Sequence, residues 1–310
     1  MFDKNRFFHI IKGLDFIMDG IVLIDKEKGI SSFGVVAKVR KIYNTKKVGH
    51  CGTLDPEATG VLPIMIGSAT KISKYLVEHD KEYVATLKLG KKTDSADGEG
   101  NIIAEDDFKL KKENEENYYH VFEKIVGKHI QVPPMYSAIK VNGKKLYEYA
   151  RAGQEIEREG REIEIYSIGI ENIDYQSNEI VYRVSCSKGT YIRTLCEMIA
   201  EQLGTVGYMK ELRRTKVDDF CIDDCVTLSD LEVATDKNIY VKSIENVFND
   251  KDSIVLNNRK TELFFNGVML TFEKEDGLYK VYNSGEFLGL GIIKNKLLKR
   301  DVIVRYWLKC

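Results

Sequence analysis

The sequence predicts an α+β fold in which a large mixed domain precedes a small β-rich module. Three patterns support this fold class. Residues 61–66 form a continuous apolar run of strand length, residues 82–89 alternate between apolar and polar side chains, and residues 190–203 repeat apolar side chains at helical spacing. From residue 251 the texture changes to short strand-like segments around one helix end. With 310 residues, 43% of them hydrophobic, the chain can build a core for both parts.

The large domain is expected to mix strands and helices along the chain. Its predicted strands are 21–24, 61–66, 82–89, 102–104, 161–174, 179–187 and 206–217, and its predicted helices are 32–43, 70–80, 118–126 and 190–203. Ser31 or Ser32 can cap the first helix, and Gly127 can end the third. Asn142-Gly143 predicts a tight hairpin, because both residues tolerate positive φ. In the module we expect a helix ending near residue 267 and strands at 278–282, 287–293 and 302–308.

The segment 47–63 is a glycine-rich loop that opens into the apolar run 61–66. Gly49, Gly52 and Gly60 permit tight or left-handed backbone, and Pro56 pushes the preceding Asp55 toward an extended conformation. Asp55 is therefore expected on a shaped loop at the edge of the core, as active-site acids usually are. The alternative is that Asp-Pro only starts an ordinary turn.

The helix 190–203 places Arg193 in its first turn, with Thr190 as the expected cap and Gly204 as the stop. An arginine in the first turn gains nothing from the helix dipole, so we expect a carboxylate to hold it. Asp55 is the obvious candidate for that partner.

The net charge of −1 argues against a general polyanion binder, but the charges are unevenly distributed. The segments 31–54 and 135–147 contain basic residues and no acid, and 181–196 is also rich in basic residues. The basic residues of these segments are Lys38, Arg40, Lys41, Lys46, Lys47, Lys140, Lys144, Lys145, Arg183, Lys188 and Arg193. They predict a local phosphate-binding groove, although a charge run can also be a solvated face.

The sequence predicts a cytoplasmic protein with reduced thiols. Its six cysteines form no disulfide framework, and Cys221 and Cys225 lack the further ligands that a zinc site needs. No apolar run reaches the roughly 18 residues of a membrane span, and residues 1–16 do not read as a secretory signal. A nucleophilic Cys51 is the weaker alternative for the loop, because no thiol-enzyme pattern of histidine and aspartate accompanies it.

Residues 49–63, Gly-His-Cys-Gly-Thr-Leu-Asp-Pro-Glu-Ala-Thr-Gly-Val-Leu-Pro, closely resemble the catalytic motif of the TruB family of pseudouridine synthases. Further segments match in the family's order, and the resemblance spans about 20–228. The matching segments are 67–71 with Lys71, 80–83 with Tyr83, 93–98, 133–140, 186–193 and 212–214. Residues 251–310 resemble a PUA domain, an RNA-binding unit, much more weakly.

The resemblance implies a fold and a division into domains. Residues 18–250 would form the pseudouridine-synthase catalytic domain, built on a mixed, mainly antiparallel β-sheet flanked by helices. Residues 251–310 would form a small β-rich, PUA-like domain, and residues 1–17 an N-terminal extension.

The resemblance also implies a function: isomerisation of uridine to pseudouridine at position 55 in the T-loop of tRNA. Asp55 would be the nucleophile, Arg193 its partner, and Tyr83 the residue that stacks on the flipped-out base and is a candidate for handling the C5 proton. The implied RNA-binding residues are His50, Lys71, Lys140, Lys188, Leu212, Arg213 and Arg214, with His50 propping the space vacated in the RNA. No cofactor or metal is expected, because the reaction has no redox change or net group transfer. The expected partner is the tRNA T-arm, with no obligatory protein partner and a monomeric protein.

Alternatives remain open at the level of sequence. The chain could be a non-catalytic tRNA-binding or tRNA-folding protein on the same scaffold, or a guide-RNA-dependent relative that needs protein partners. The trio Asp55, Tyr83 and Arg193 favours an enzyme, because binding alone does not require it. Individually, Tyr83 could be a core aromatic and His50 a buried, hydrogen-bonded imidazole.

Overall fold

The computed structural model describes residues 19–76 and 79–304, so the predicted extension 1–17 lies outside the described residues. Within these ranges the strands are β1 (Gly20–Lys26), β2 (Val48–His50), β3 (Thr59–Ile66), β4 (Lys81–Leu89), β5 (Lys91–Thr93), β6 (Ile102–Glu105), β7 (Gly127–Gln131), β8 (Lys140–Val141), β9 (Lys144–Lys145), β10 (Arg161–Asp174), β11 (Glu179–Cys186), β12 (Gly207–Val217), β13 (Phe220–Cys221), β14 (Val241–Ser243), β15 (Ser253–Val255), β16 (Leu270–Thr271), β17 (Gly277–Asn283), β18 (Glu286–Lys294) and β19 (Leu297–Ile303). The α-helices there are α1 (Ser32–Ile42), α2 (Ser73–Leu76), α3 (Glu115–Lys124), α4 (Leu146–Arg151), α5 (Ile192–Gln202), α6 (Leu228–Val233), α7 (Ile244–Val247) and α8 (Asn258–Phe265).

A large sheet forms the centre of the first domain. Its strands follow the order β14-β1-β3-β12-β4-β11-β10-β7, with β2 beside β3 and β13 beside β12. The β3–β12 pair is parallel, whereas the other pairs of this sheet in the described part of the chain are antiparallel. The prediction of a mixed, mainly antiparallel sheet with helices is confirmed.

Most predicted elements are present, and four differ in detail. The helix expected at 70–80 is a 3₁₀ turn, Gly67–Ile72, followed by the short α2, because the chain returns to the sheet at Lys81. Helix α3 begins earlier than expected, and Gly127 opens β7 with a φ of +116°. Thr190 does not cap α5, because its hydroxyl donates to the Ser187 carbonyl oxygen. The last described strand, Leu297–Ile303, begins before the strand expected at 302–308, of which residues 305–308 lie outside the described residues.

The C-terminal domain is β-rich, as predicted. Its five described strands follow the order β15-β17-β18-β19-β16, with α8 packed beside them, and Phe264 lies in its core. Leu290 and Val302 also share a buried cluster with Ile21 of β1, so the domain packs directly on the large sheet. The Asp301 carboxylate accepts hydrogen bonds from the Lys74 ammonium and the Tyr75 hydroxyl across this junction. The specific PUA kinship stays a prediction.

No helix in the part of the chain that the structure describes is both long enough and apolar enough to cross a membrane.

The parallel β3–β12 pair depends on the absence of a side chain at Gly60. Gly60 faces Arg214 in register and has a φ of +103°. An added Cβ atom would lie 2.1 Å from the Arg214 carbonyl oxygen, which is a backbone atom and cannot move aside easily.

We therefore predict that Gly60→Ala lowers the free energy of unfolding by more than about 3 kcal/mol, because it combines backbone strain with a clash. Gly285→Ala is the matched control, since Gly285 also has positive φ but would meet no atom within 4 Å. Its cost should be about 1–2 kcal/mol. Chemical denaturation of the two variants measures the difference, and equal losses would contradict the packing described for Gly60.

Candidate active site

A buried lysine connects the loop between β2 and β3 to the segment between β1 and α1. The Lys26 ammonium donates to the carbonyl oxygens of Glu27 at 2.9 Å, Ile30 at 2.7 Å and Pro56 at 2.8 Å. Burial lowers the pKa of Lys26 to about 8, against the opposing effects of Glu57 and Asp55. The side chain is therefore still mostly protonated at neutral pH and can make all three bonds.

A buried serine fixes the residue next to Asp55. Ser32 Oγ accepts from the Leu54 amide at 2.9 Å and lies 3.0 Å from the Leu54 carbonyl oxygen. Ser32 begins α1, so the end of this helix is tied to the loop. The Asp55 carbonyl oxygen in turn accepts from the Ala58 amide at 3.1 Å, which closes a tight turn. The position of Asp55 is thus set by backbone bonds on both sides.

Asp55 and Asp97 share one buried arginine. Arg193 Nη2 lies 3.4 Å from Asp55 Oδ2, and Arg193 Nη1 lies 3.4 Å from Asp97 Oδ2. The guanidinium also donates to the carbonyl oxygens of Ser95 at 3.3 Å and Tyr136 at 2.5 Å. The side chain of Arg193 is only 6% exposed, whereas that of Asp55 is 44% exposed. Asp55 is therefore oriented from inside the protein and reachable from outside.

Tyr83 lines the same cavity as Asp55 and is almost fully buried. Burial raises the pKa of Tyr83, and the nearby Arg214 guanidinium partly opposes this shift. Its hydroxyl is consequently protonated at neutral pH. Tyr83, Asp55, Arg193, Ala138, Met209 and Leu212 are among the residues that line a cavity of about 260 Å³.

Known families and proteins resemble this chain along most of its length. A family profile described as TruB family pseudouridylate synthase (N terminal domain) matches residues 40–192, and one described as tRNA pseudouridylate synthase B C-terminal domain matches residues 193–255. The tRNA pseudouridine synthase B of Hydrogenovibrio crunogenus is 44% identical, over 88% of this chain and 89% of that protein. The chain belongs to the TruB family. The tRNA pseudouridine synthase B of Clostridium perfringens is 45% identical, over 93% of this chain and 99% of that protein.

Solved structures share the fold of this TruB family member. A chain of a Cbf5-Nop10-Gar1 complex superposes with a TM-score of 0.65 and 25% identity, covering 93% of this chain and 84% of that chain. A chain of an H/ACA RNP bound to a substrate RNA containing 2′-deoxyuridine gives a TM-score of 0.64 at 23% identity, with coverage of 92% and 84%. The second likeness concerns the fold alone.

The structure brings the three predicted catalytic residues of this TruB family member together. Asp55, Tyr83 and Arg193 all line the same cavity, and the predicted Asp55–Arg193 pair is present. Cys51 is the first residue of the β2–β3 loop and is buried, and burial raises the pKa of its thiol. A thiol held in its protonated form is a poor nucleophile, so the geometry favours Asp55.

The predicted RNA-binding residues fall into two groups. Lys71, Lys140 and Lys188 are exposed, Leu212 lines the cavity, and His50 is partly buried at the end of β2. Burial and the charge of Arg214 lower the pKa of His50, so its ring is neutral at neutral pH. RNA contact by these five residues stays a prediction.

Two neighbouring arginines have intramolecular partners. Arg213 donates to Asp25 Oδ1 at 3.1 Å and to Asp25 Oδ2 at 2.7 Å. Arg214 is 1% exposed and donates to the carbonyl oxygens of Val61 at 2.7 Å and Gly52 at 3.0 Å. In this structure Arg214 connects the β2–β3 loop to β3 through these two hydrogen bonds. The predicted contact of Arg214 with RNA stays a prediction.

Sequence reasoning missed Asp97, Lys26 and Ser32. Asp97 lay inside the matching segment 93–98, and its position there was the available signal that it has a role at the site. Lys26 ends β1, where its charge gave no indication of burial, and Ser32 was considered only as a helix cap. Their roles depend on contacts over 22 to 30 residues of chain, which local patterns do not reveal.

We predict that Lys26→Met destabilises the protein, because it removes the Lys26 donor from the carbonyl oxygens of Glu27 and Ile30 and leaves that of Pro56 with only the Gly29 amide. The free energy of unfolding should fall by about 1–3 kcal/mol. Lys28→Met is the matched control, since Lys28 is exposed and its contact with Glu57 is a surface pair at 3.3 Å, which should contribute at most about 1 kcal/mol. Thermal or chemical denaturation compares the two, and a Lys26 variant as stable as the Lys28 variant would refute this support role.

Proposed function

We propose that this protein isomerises uridine to pseudouridine at position 55 in the T-loop of tRNA, with Asp55 as the nucleophile. As a member of the TruB family, it is a tRNA pseudouridine synthase. The observation that carries the finer proposal is the pairing of Asp55 with the buried Arg193 at a cavity that Tyr83 also lines.

The reaction breaks the N1–C1′ bond of uridine, turns the base and forms a C5–C1′ bond. The proton on C5 leaves and N1 gains a proton, so atoms balance without an oxidant or reductant. Asp55 supplies a carboxylate that can bond covalently to the ribose or to the base, and Arg193 holds that carboxylate in one orientation. The attack at C1′ and the attack at C6 are both compatible with this arrangement.

Tyr83 is suited to a proton relay. Because burial keeps its hydroxyl protonated, Tyr83 can accept a proton from C5 only as it passes its own proton on. The Arg214 guanidinium partly opposes the rise that burial causes in the pKa of Tyr83. It would stabilise negative charge on the Tyr83 oxygen during this transfer.

The cavity has room for a base that has left the RNA stack. Its volume of about 260 Å³ corresponds to about nine water molecules at the density of the liquid, enough for one pyrimidine. Flipping the target base costs a few kcal/mol, which stacking on Tyr83 and burial against Leu212 and Met209 would offset.

We also propose that the protein acts alone, as a cytoplasmic monomer on the tRNA T-arm. The two curated relatives described above are named as tRNA pseudouridine synthases and are 44% and 45% identical to this chain over most of its length. The similar chains from RNP complexes are less alike, at 23–25% identity. The cysteines in the described residues are unpaired, in keeping with a reducing compartment.

Asp55→Asn should abolish turnover and leave tRNA binding almost intact. Asparagine is nearly isosteric and can still accept a bond from Arg193, but it has no anionic oxygen to act as a nucleophile. We expect release of tritium from C5-labelled uridine to fall to background, while the Kd for tRNA changes by only a few-fold, which is of order 1 kcal/mol.

Glu57→Gln is the matched control for Asp55→Asn, because Glu57 belongs to the same loop but contacts the exposed Lys28. Its turnover should stay within a few-fold of wild type. Robust turnover by Asp55→Asn would overturn the mechanism. A wild-type protein that binds tRNA without converting it would favour the non-catalytic alternative.

Tyr83→Phe keeps the ring and removes the hydroxyl. Stacking and the Kd for tRNA should be close to normal, while kcat should fall by roughly 100-fold or more, as expected for loss of a proton-transfer group. Single-turnover rates and filter binding measure the two effects separately. A wild-type kcat would reduce Tyr83 to a stacking surface.

A further inference from the structure

Phe33 exposes a large aromatic ring beside the active-site loop. Its side chain is 66% exposed, compared with 45% for Tyr119 and 43% for Tyr166. It stands in the first turn of α1, directly after Ser32, which holds Leu54 next to Asp55. The helix that carries the ring is therefore anchored to the loop that carries Asp55.

The exposed ring belongs to a group of aromatic and basic side chains, which we call the Phe33 cluster: Phe33, His50, Lys145, Tyr147 and Arg151. The Phe33 and His50 rings meet edge to face, with centroids 5.1 Å apart. Lys145 Nζ lies 5.9 Å from the Phe33 centroid and 5.3 Å from the Tyr147 centroid. The Arg151 guanidinium lies 5.4 Å from the Tyr147 centroid.

The cluster joins two separate parts of the chain. Phe33 and His50 come from α1 and β2, whereas Lys145 ends the β8–β9 hairpin and Tyr147 and Arg151 belong to α4. Ala138, which precedes the hairpin, lines the catalytic cavity. The cluster consequently brings together the helix anchored beside Leu54 and the segment that follows Ala138, and both Leu54 and Ala138 line that cavity.

We propose that Phe33 stacks on a nucleobase of the substrate RNA next to the flipped-out uridine, and that Lys145 contacts a phosphate of the same stretch. This inference rests on the proposed function of the site. It assigns a stacking contact to Phe33, which lies outside the catalytic trio and the predicted RNA-binding residues, and it selects Lys145 from the basic residues that predict a phosphate-binding groove.

The chemistry of the cluster fits single-stranded RNA. Proteins that bind unpaired nucleotides combine aromatic rings, on which bases stack, with basic groups that follow the phosphates. Removal of a loop uridine from its stack leaves a neighbouring base with an open face, and an exposed, apolar, uncharged ring can cover it. His50, whose ring is neutral, abuts Phe33 and would continue the same apolar surface.

The charge around Phe33 is also complementary to RNA. The first turn of α1 contains no acidic residue, and its last turn contains Arg40 and Lys41. Arg40 follows Phe33 by seven residues and Lys41 follows it by eight, so both lie on the same exposed side of the helix as Phe33. A backbone that passes Phe33 therefore meets positive charge along the helix.

Variants at Phe33 test the stacking contact. Phe33→Ala and Phe33→Leu should weaken binding of a T-arm stem–loop at least fivefold, whereas Phe33→Trp should bind within about twofold of wild type. A side chain needed only for packing would be replaced by leucine, so rescue by an aromatic ring alone identifies stacking. Tyr119→Ala is the matched control, because Tyr119 is exposed on a helix with acidic neighbours and should bind RNA as wild type does.

The salt dependence of binding tests Lys145. Lys145→Gln should make the slope of log Kd against log salt concentration shallower by about 0.7, as expected when one contact to a single-stranded phosphate is lost. Phe33→Ala should leave that slope unchanged, because stacking releases no counterions. Both variants should unfold at the wild-type denaturant concentration.

Wild-type binding by Phe33→Ala, or full rescue by leucine, would overturn the stacking contact, and an unchanged salt slope in Lys145→Gln would overturn the phosphate contact. These outcomes are separate from failure of the proposed function. In that case the wild-type protein itself would leave uridine unconverted, while the binding comparisons among the variants could still be made.

Discussion

The candidate active site depends on two buried cations that satisfy backbone carbonyl groups in and around one loop. Lys26 donates to two carbonyl oxygens of the β1–α1 connection and to that of Pro56 in the β2–β3 loop, and Arg214 donates to those of Gly52 in the same loop and Val61 in β3. Burying a charge costs free energy unless hydrogen bonds replace those to water, and here the backbone carbonyl groups supply them. Because Lys26 ends β1 and Arg214 lies on β12, the loop is attached to the centre of the large sheet.

This attachment explains how one carboxylate can be exposed and yet paired with a buried arginine. Arg193 is buried and bonded to Asp97 and to the carbonyl oxygens of Ser95 and Tyr136. These contacts hold its guanidinium in place independently of Asp55. The bond to Tyr136 also connects the Asp55–Arg193 pair to the segment that leads into the β8–β9 hairpin. Part of the wall of the cavity and the orientation of Asp55 are thus linked through Arg193.

Much of the fold and the Asp55–Arg193 pair could be predicted from sequence, because the patterns that indicate strands, helices and the need of Arg193 for an acidic partner lie within short segments. The alternation in β4 and the apolar run in β3 define strands, and an arginine in the first turn of a helix requires an acidic partner. The support of the loop could not be predicted in this way. Lys26 resembled a surface charge, and the burial of Arg214 follows from its position between β3 and β4 in the sheet. The prediction of one helix at 70–80 was wrong, because the spacing of apolar residues does not show where the chain must return to the sheet.

The most direct test of the function is to incubate the purified wild-type protein alone with an unmodified tRNA transcript and to map pseudouridine by carbodiimide adducts. Conversion of the single uridine at position 55 of the T-loop, with no added RNA or protein, is the predicted result. Absence of pseudouridine despite bound tRNA, conversion at another position, or a requirement for a guide RNA would contradict it.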